Sequence, residues 1–212
     1  MTFADFFERW EGQHRIYLDK LAASESDDDA ERESLVQQVL THYQEYYDEK
    51  SIAAESDIFL MFSPPWLSSY ERTLLWVTGF KPSVSFRLVK QSVGADLTEE
   101  QLERIAAVKE ETRRMEGQIA QALARVQESV AAPTFCELVK REGSLVDRDM
   151  ENAMGALKVA LLRVMRDADA LRQQTGLQVL KVLSPAQKLK FLAGTSRFWL
   201  QSRRLGMERD PK

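Results

Sequence analysis

The side chains able to do chemistry are few. The chain holds two histidines, His14 and His42, and one cysteine, Cys136. A serine or cysteine nucleophile would need one of these imidazoles as its base. His14 falls on the apolar face of a helical pattern and reads as a core or boundary histidine. His42 precedes Tyr43 in a tyrosine-rich stretch, where it reads as hydrogen-bonding a buried group or touching the edge of a cofactor. Cys136 has only Lys140 and Arg141 nearby to favour a thiolate. A single cysteine excludes an intrachain disulfide and suits a reducing compartment. Two imidazoles and one thiol fall short of the roughly three or four nitrogen and sulfur ligands a zinc site needs. The acidic run Ser24–Asp29 could hold magnesium by composition, but no second acidic cluster answers it. It reads as a solvated loop whose aspartates cap the next helix. Phosphate-cradling glycine motifs and the Gly-x-Ser-x-Gly elbow are absent. The expectation is a protein that is not an enzyme.

Recognition chemistry is a different matter. Tryptophan occurs four times, at positions 10, 66, 76 and 199. Between Ser63 and Ser83 the chain packs Pro64, Pro65, Trp66, Arg72, Trp76, Gly79, Phe80, Lys81 and Pro82. That density marks either a packed corner between helices or a recognition surface.

The elements that must position these groups are helical. Of 212 residues 44% are hydrophobic and 29% charged, with only nine glycines and six prolines, a balance that favours helix. The net charge of −4 disfavours non-specific binding to nucleic acid. Apolar residues recur at three- and four-residue steps over Phe3–Leu21 and over residues 30–54. The second pattern is expected to continue with a bend through Phe62 and to include Ile52. Ser68-x-x-Glu71 resembles a capping box opening a short helix through Val77, with Gly79 as its left-handed C-cap. Pro82 opens a helix to Val93. Thr98-x-x-Gln101 opens a stripe of Leu102, Ile105, Met115, Ile119, Leu123, Val126 and Val130 that Pro133 stops. A helix follows from Leu145 to Gln174, and Ser184-Pro-Ala-Gln187 opens the last one. No sustained two-residue alternation appears. The predicted fold is all-α, a single bundle of about seven helices with long antiparallel members, in one domain spanning 1–212 with a frayed tail over 207–212. Asp5, Glu8, Arg9 and Glu11 interrupt the first apolar stretch, so no secretory signal is expected, and no segment suits a membrane span.

The run Phe59–Ser83 resembles the signature of a plant domain named for the DELAY OF GERMINATION seed-dormancy proteins. The same domain forms the C-terminal half of the TGACG-binding (TGA) basic-zipper transcription factors. Trp66, Arg72, Leu75, Trp76, Gly79, Phe80, Pro82 and Ser83 carry the resemblance. His42–Lys50, Leu97–Gln101, Ala168–Thr175 and Leu183–Leu192 match further blocks, so it spans about residues 3–206. No basic region or leucine zipper precedes Phe3, so the chain is expected to be a stand-alone member of the DOG1-like group, without sequence-specific DNA binding.

The resemblance implies a regulatory binding protein of seed maturation, dormancy and abscisic-acid signalling, with clade A type 2C protein phosphatases as partners. By the same resemblance the partner helix would carry Asp5, Phe6, Glu8, Arg9 and Trp10. A second implication is a sensor of haem or of a fatty-acid-like apolar ligand in a helical pocket, with His14 and His42 as candidate haem ligands. A third is a transcription cofactor assembling with TGA-type factors. Self-association and a place in both nucleus and cytoplasm are compatible with each.

Overall fold

The computed structural model describes residues 2–24, 26–131 and 144–210, with the side chains of 144–147 set aside. These residues form eight α-helices and one 3-10 turn, and no strand occurs among them. The helices are α1 (Phe3–Ala23), α2 (Asp29–Ser56), α3 (Ile58–Phe62), α4 (Ser69–Thr73), α5 (Val84–Val93), α6 (Glu99–Val130), α7 (Ser144–Val182) and α8 (Pro185–Arg209). The all-α prediction stands, with one helix more than the seven expected. The extra helix arises at Asp57, whose backbone turns extended and whose carboxylate accepts from the Phe59 and Leu60 amides, ending α2 and starting α3 instead of bending one helix. No helix among the described residues is long and apolar enough to cross a membrane.

Capping chemistry sets most starts. Thr2 and Asp5 form a reciprocal box on α1, Asp28 caps α2, and boxes at Ser68/Glu71, Thr98/Gln101 and Ser184/Gln187 open α4, α6 and α8. Each satisfies amide donors that the first turn leaves unpaired. The acidic run thus serves α2 as a cap.

Two of these boxes are joined. Gln101 Nε2 donates to Gln187 Oε1 at 2.8 Å and to Val182 O at 2.9 Å. Gln187 Nε2 donates to Asp96 O at 2.8 Å. The starts of α6 and α8 are therefore pinned together beside the end of α7. Further along, Thr112 meets Thr175 at 3.2 Å, and Ile119 packs in one cluster with Val164 and Ala168. The order of these contacts makes α6 and α7 antiparallel. The main core gathers residues of α1, α2, α5, α7 and α8 around Val39, Val89, Val179 and Phe191.

The helices depart from the sequence expectation at several points. Ile52 and Leu102, placed in apolar stripes, are 62% and 50% exposed. α7 continues to Val182, past Gln174, because Gly176 stays helical there and Val179 and Leu180 are drawn into the core. α8 runs through Arg209, with Gly206 buried against Ser68 and Asp210 accepting from Ser69, so the segment expected to fray from 207 is held to 210. Pro133 and Cys136 lie outside the described residues.

The paired glutamine amides give a test. Gln187→Glu replaces a donor with a carboxylate facing the Asp96 carbonyl. Denaturant unfolding should show a loss of about 1–3 kcal/mol, whereas Glu99→Gln on the exposed first turn of α6 should change stability little.

Candidate functional site: a cavity behind a glycine turn

The segment after α4 does not continue as helix to Val77. Trp76 and Gly79 pair their backbones in both directions, with Trp76 N–H to Gly79 O at 2.7 Å and Gly79 N–H to Trp76 O at 3.3 Å. The two residues between them, Val77 and Thr78, have φ of 44° and 60°. That is a type I′ turn, which normally takes Asn-Gly. A β-branched residue at positive φ is strained, at a cost of roughly 1–3 kcal/mol each.

Arg172 of α7 holds this turn in place. Its guanidinium donates to Phe80 O at 2.7 Å, to Val77 O at 3.0 Å, to Trp76 O, and to the Asp169 carboxylate at 2.6 Å. It also lies over the Trp76 ring, 5.6 Å from the centroid. Gly79 is required for closeness, not for a left-handed cap. A Cβ there would stand 2.8 Å from Arg172 Nε and 2.9 Å from Cζ, and Gly79 is not among the positive-φ positions.

A second cation meets the same turn. Lys50 of α2, 3% exposed, donates to Thr78 O at 3.0 Å and to Asp169 Oδ1 at 2.8 Å. Burial pulls its ammonium down to about 8, against the opposing pull of Asp169. The node Lys50–Asp169–Arg172 therefore joins α2, α7 and the turn. The chain after the turn is fixed as well. Buried Glu116 of α6 accepts from the Ser83 amide at 2.7 Å and pairs with Lys81 at 3.5 Å.

Behind the turn lies a cavity of about 580 Å³ bounded by α1, α2, residues 61–88, α7 and α8. That volume lies in the range of about 300–1,000 Å³ typical of small-molecule sites. Its walls are mostly aromatic and aliphatic. Phe3 and Phe7 meet Trp66 at centroid distances of 4.9 and 6.4 Å, Phe7 meets Trp199 at 5.9 Å, and Phe80 meets Phe198 at 5.2 Å. Tyr43, Tyr46 and Tyr47 of α2 line it too, together with Lys50 and Arg172. Burial pushes the Tyr43 phenol up to about 12 and those of Tyr46 and Tyr47 higher, so all three are neutral donors at neutral pH.

The two histidines sit beside the cavity rather than in its wall. His14 and His42 are 0% and 3% exposed. Their rings lie nearly parallel to Trp10, at 4.7 and 4.5 Å, and Trp199 meets Trp10 edge-on at 5.4 Å. Trp10 Nε1 donates to His42 O at 2.8 Å. Neither imidazole lines the cavity, so a haem there with histidine ligation does not fit. Burial holds the His14 imidazole down at about 3 and that of His42 at about 4.

Sequence comparisons place this architecture among known proteins. The family described as "DOG1: Seed dormancy control" matches residues 18–91. Protein ZW2 of Arabidopsis thaliana is 41% identical across 97% of this chain and 96% of its own length. The chain belongs to the DOG1 family. Protein RESPONSE TO ABA AND SALT 1 of Arabidopsis thaliana is 38% identical over 98% of the chain and 96% of that protein. The TGACG-sequence-specific DNA-binding protein TGA-2.1 of Nicotiana tabacum is 29% identical over 97% of the chain, which spans 46% of that protein.

The residues of the DOG1-family motif come together, but in different roles. Trp66 packs on Phe3, and its carbonyl accepts from Arg203 at 2.7 Å. Arg72 is exposed and closes its own turn on Leu67 O at 3.2 Å. Trp76, Gly79 and Phe80 surround Arg172, while Pro82 is buried and Ser83 is anchored on Glu116. On α1, Asp5, Glu8 and Arg9 are exposed, Phe6 is half-buried, and Trp10 is buried in the histidine stack. Asp5 also closes its own cap on Thr2. Sequence reasoning missed Lys50, Asp169, Arg172 and Glu116 as site residues. The signal was present for three of them, since Lys50 ends the matching block His42–Lys50, and Asp169 and Arg172 lie in the matching block Ala168–Thr175 beside the inward-facing Ala168 and Leu171.

Two outcomes follow. Arg172→Lys keeps the charge but loses the planar fork, and Gly79→Ala drives a Cβ into it. Each should lower unfolding stability by on the order of 2 kcal/mol or more, measured by denaturation, and shift near-ultraviolet signals from Trp76. Separately, the histidines' folded pKa values lie below their usual 6.5. Between pH 6.5 and about 4 the unfolded chain therefore binds more protons, and stability falls as pH drops through that window. The loss by pH 5 should be roughly 2 kcal/mol per histidine, and the His42→Phe variant should show about half the pH dependence of the parent.

Proposed function

We propose that this chain is a non-enzymatic regulatory binding protein of plant seed-maturation, abscisic-acid and salt-stress signalling, whose rigid bundle engages a protein partner, a clade A type 2C protein phosphatase. Membership of the DOG1 family and the name of its 38%-identical Arabidopsis relative support the setting. The observation that carries the binding mode is the α1 face. Trp10 is locked beneath it by His14, His42 and Trp199, so Asp5, Glu8 and Arg9 are presented on a fixed helix with little ordering entropy left to lose. Trp10 is then a support for the face and not a contact. A one-domain arrangement in nucleus and cytoplasm belongs to the same reading.

The cavity favours a second function alongside the first, binding of a small apolar ligand that the bundle senses. Its roughly 580 Å³ of mainly apolar space is bordered by the turn that the family motif builds. Association with TGA-type factors is the alternative partner reading, supported by similarity to them along 97% of the chain.

Calorimetry of the full chain against a panel of clade A type 2C phosphatases tests the first reading. Micromolar or tighter binding is expected, weakened about tenfold by Glu8→Lys, with Glu151→Lys on α7 as the unaffected surface control. Absence of binding across the panel, with capture of a TGA-type factor instead, would overturn the phosphatase reading.

A further inference from the structure

One end of the cavity is unbalanced in charge. Lys50 and Arg172 are both paired to the single carboxylate of Asp169, and Asp169 and Arg172 are the charges that act on Lys50. One positive charge is therefore left over at a place shielded from solvent, where an uncompensated charge is costly. Hydrogen-bond donors are in excess there too. The Lys50 ammonium has three N–H groups and spends two, on Thr78 O and Asp169. No hydrogen bond among the described residues engages the Tyr46 or Tyr47 hydroxyl, although both rings line the cavity and feel Asp169 and Arg172. Surplus donors and one surplus cation call for a single anionic acceptor.

The neighbouring wall sets the rest of the ligand. The Tyr46 ring stands 5.0 Å from Trp10 and 6.1 Å from Phe3, and Phe3 stands 4.9 Å from Trp66. The donor-rich end thus runs directly into a lining of ring faces and edges. Such a lining gains most from another ring, which can stack or meet edges, and less from a flexible chain that must lose rotamer freedom.

We propose that the cavity takes a compact, ring-bearing monocarboxylic acid, its carboxylate at Lys50, Tyr46 and Tyr47 and its ring among Phe3, Trp10 and Trp66. The inference rests on the ligand reading above and narrows it to one chemical class. The acid carries no reaction; its charge completes the Lys50–Asp169–Arg172 node, and its ring fills the apolar space next to the strained turn.

Calorimetry of the full chain with naphthoate, its neutral isostere naphthamide, and hexadecanoate tests the class. Naphthoate is expected to bind about tenfold or more tightly than naphthamide, the gain of a charged hydrogen-bonded pair over a neutral one. Tyr47→Phe, which removes a hydroxyl without an internal partner and should fold as the parent does, is expected to lower naphthoate affinity and leave naphthamide unchanged. Lys50→Met should do the same more strongly, with circular dichroism checking its fold. Equal binding of acid and amide would overturn the anionic head group while leaving the ligand reading intact. Tighter binding of hexadecanoate than naphthoate would overturn the ring. No binding by any of the three would overturn the inference, and apolar-probe binding by the same protein would show that the cavity reading survives it.

Discussion

A single guanidinium holds together parts of the chain that lie about a hundred residues apart in sequence. Arg172 gathers the carbonyls of Trp76, Val77 and Phe80 and the carboxylate of Asp169. Without those donors, the turn would expose strained β-branched residues at positive φ and buried carbonyls without partners. The dependence also runs the other way. Arg172 is largely buried, and a buried guanidinium needs its donors satisfied; the turn supplies carbonyl oxygens in an arc that only a glycine can complete, because any Cβ at position 79 would meet the guanidinium. Motif and arginine are thus one structural unit, and the Trp-x-x-Gly-Phe pattern is read best as the half of it that lies outside the long helices.

Two further polar nodes repeat this logic elsewhere. Arg203 of α8 donates to Glu11 of α1, to Glu71 of α4 and to Trp66 O, each within 2.7–3.0 Å. The Gln101–Gln187 pair joins the starts of α6 and α8. In each node a residue that caps or closes a local element also bonds a distant one, Glu71 and Gln187 each being the third helical residue that completes its own capping box. Local and tertiary requirements agree at these positions, which is how a sequence specifies one packing over its alternatives. Glu71 of the Arg203 node lines the cavity, whereas the glutamine pair lies outside its walls.

The fold was readable in the sequence where local chemistry decides it. Four capping boxes and the Asp28 cap follow from hydroxyl and carboxylate groups next to the first turn, and the stripes of α1, α7 and α8 follow from spacing. Reading failed where a distant partner decides. Gly79 has the composition of a C-cap, yet its role comes from Arg172, 93 positions later by the numbering. Ile52 and Leu102 keep helical spacing but face solvent, because periodicity gives the face of a helix and not how much of it a neighbour covers. The break at Asp57 was missed since a bent helix and two helices share one apolar pattern, and only the Asp57 carboxylate on two amides separates them. Of the candidate site, the motif residues were legible as a group through family resemblance. Lys50 and Asp169 fall in blocks that share the resemblance, yet their pairing with each other and the role of Glu116 were not legible, because a buried ion pair leaves no periodic trace in either helix.

The cavity itself bears on why so much polar bonding surrounds it. The space of about 580 Å³ is partly open to solvent, and the apolar wall atoms that face it lack packing partners there. A bundle of Leu, Phe and Val held by apolar contact alone would collapse into such a space, since its side chains have no directional reason to stay apart. Here the approach of α2 to α7 is set by Lys50 reaching Asp169 and Thr78, and that of α1 to α8 by Glu11 reaching Arg203. Closing the gap would break these charge-assisted bonds in a poorly solvated interior, where each lost partner costs more than on the surface. The polar nodes and the aromatic rings of the wall are therefore the two halves of one constraint: the first keeps the space open, and the second gives whatever fills it a surface to bind.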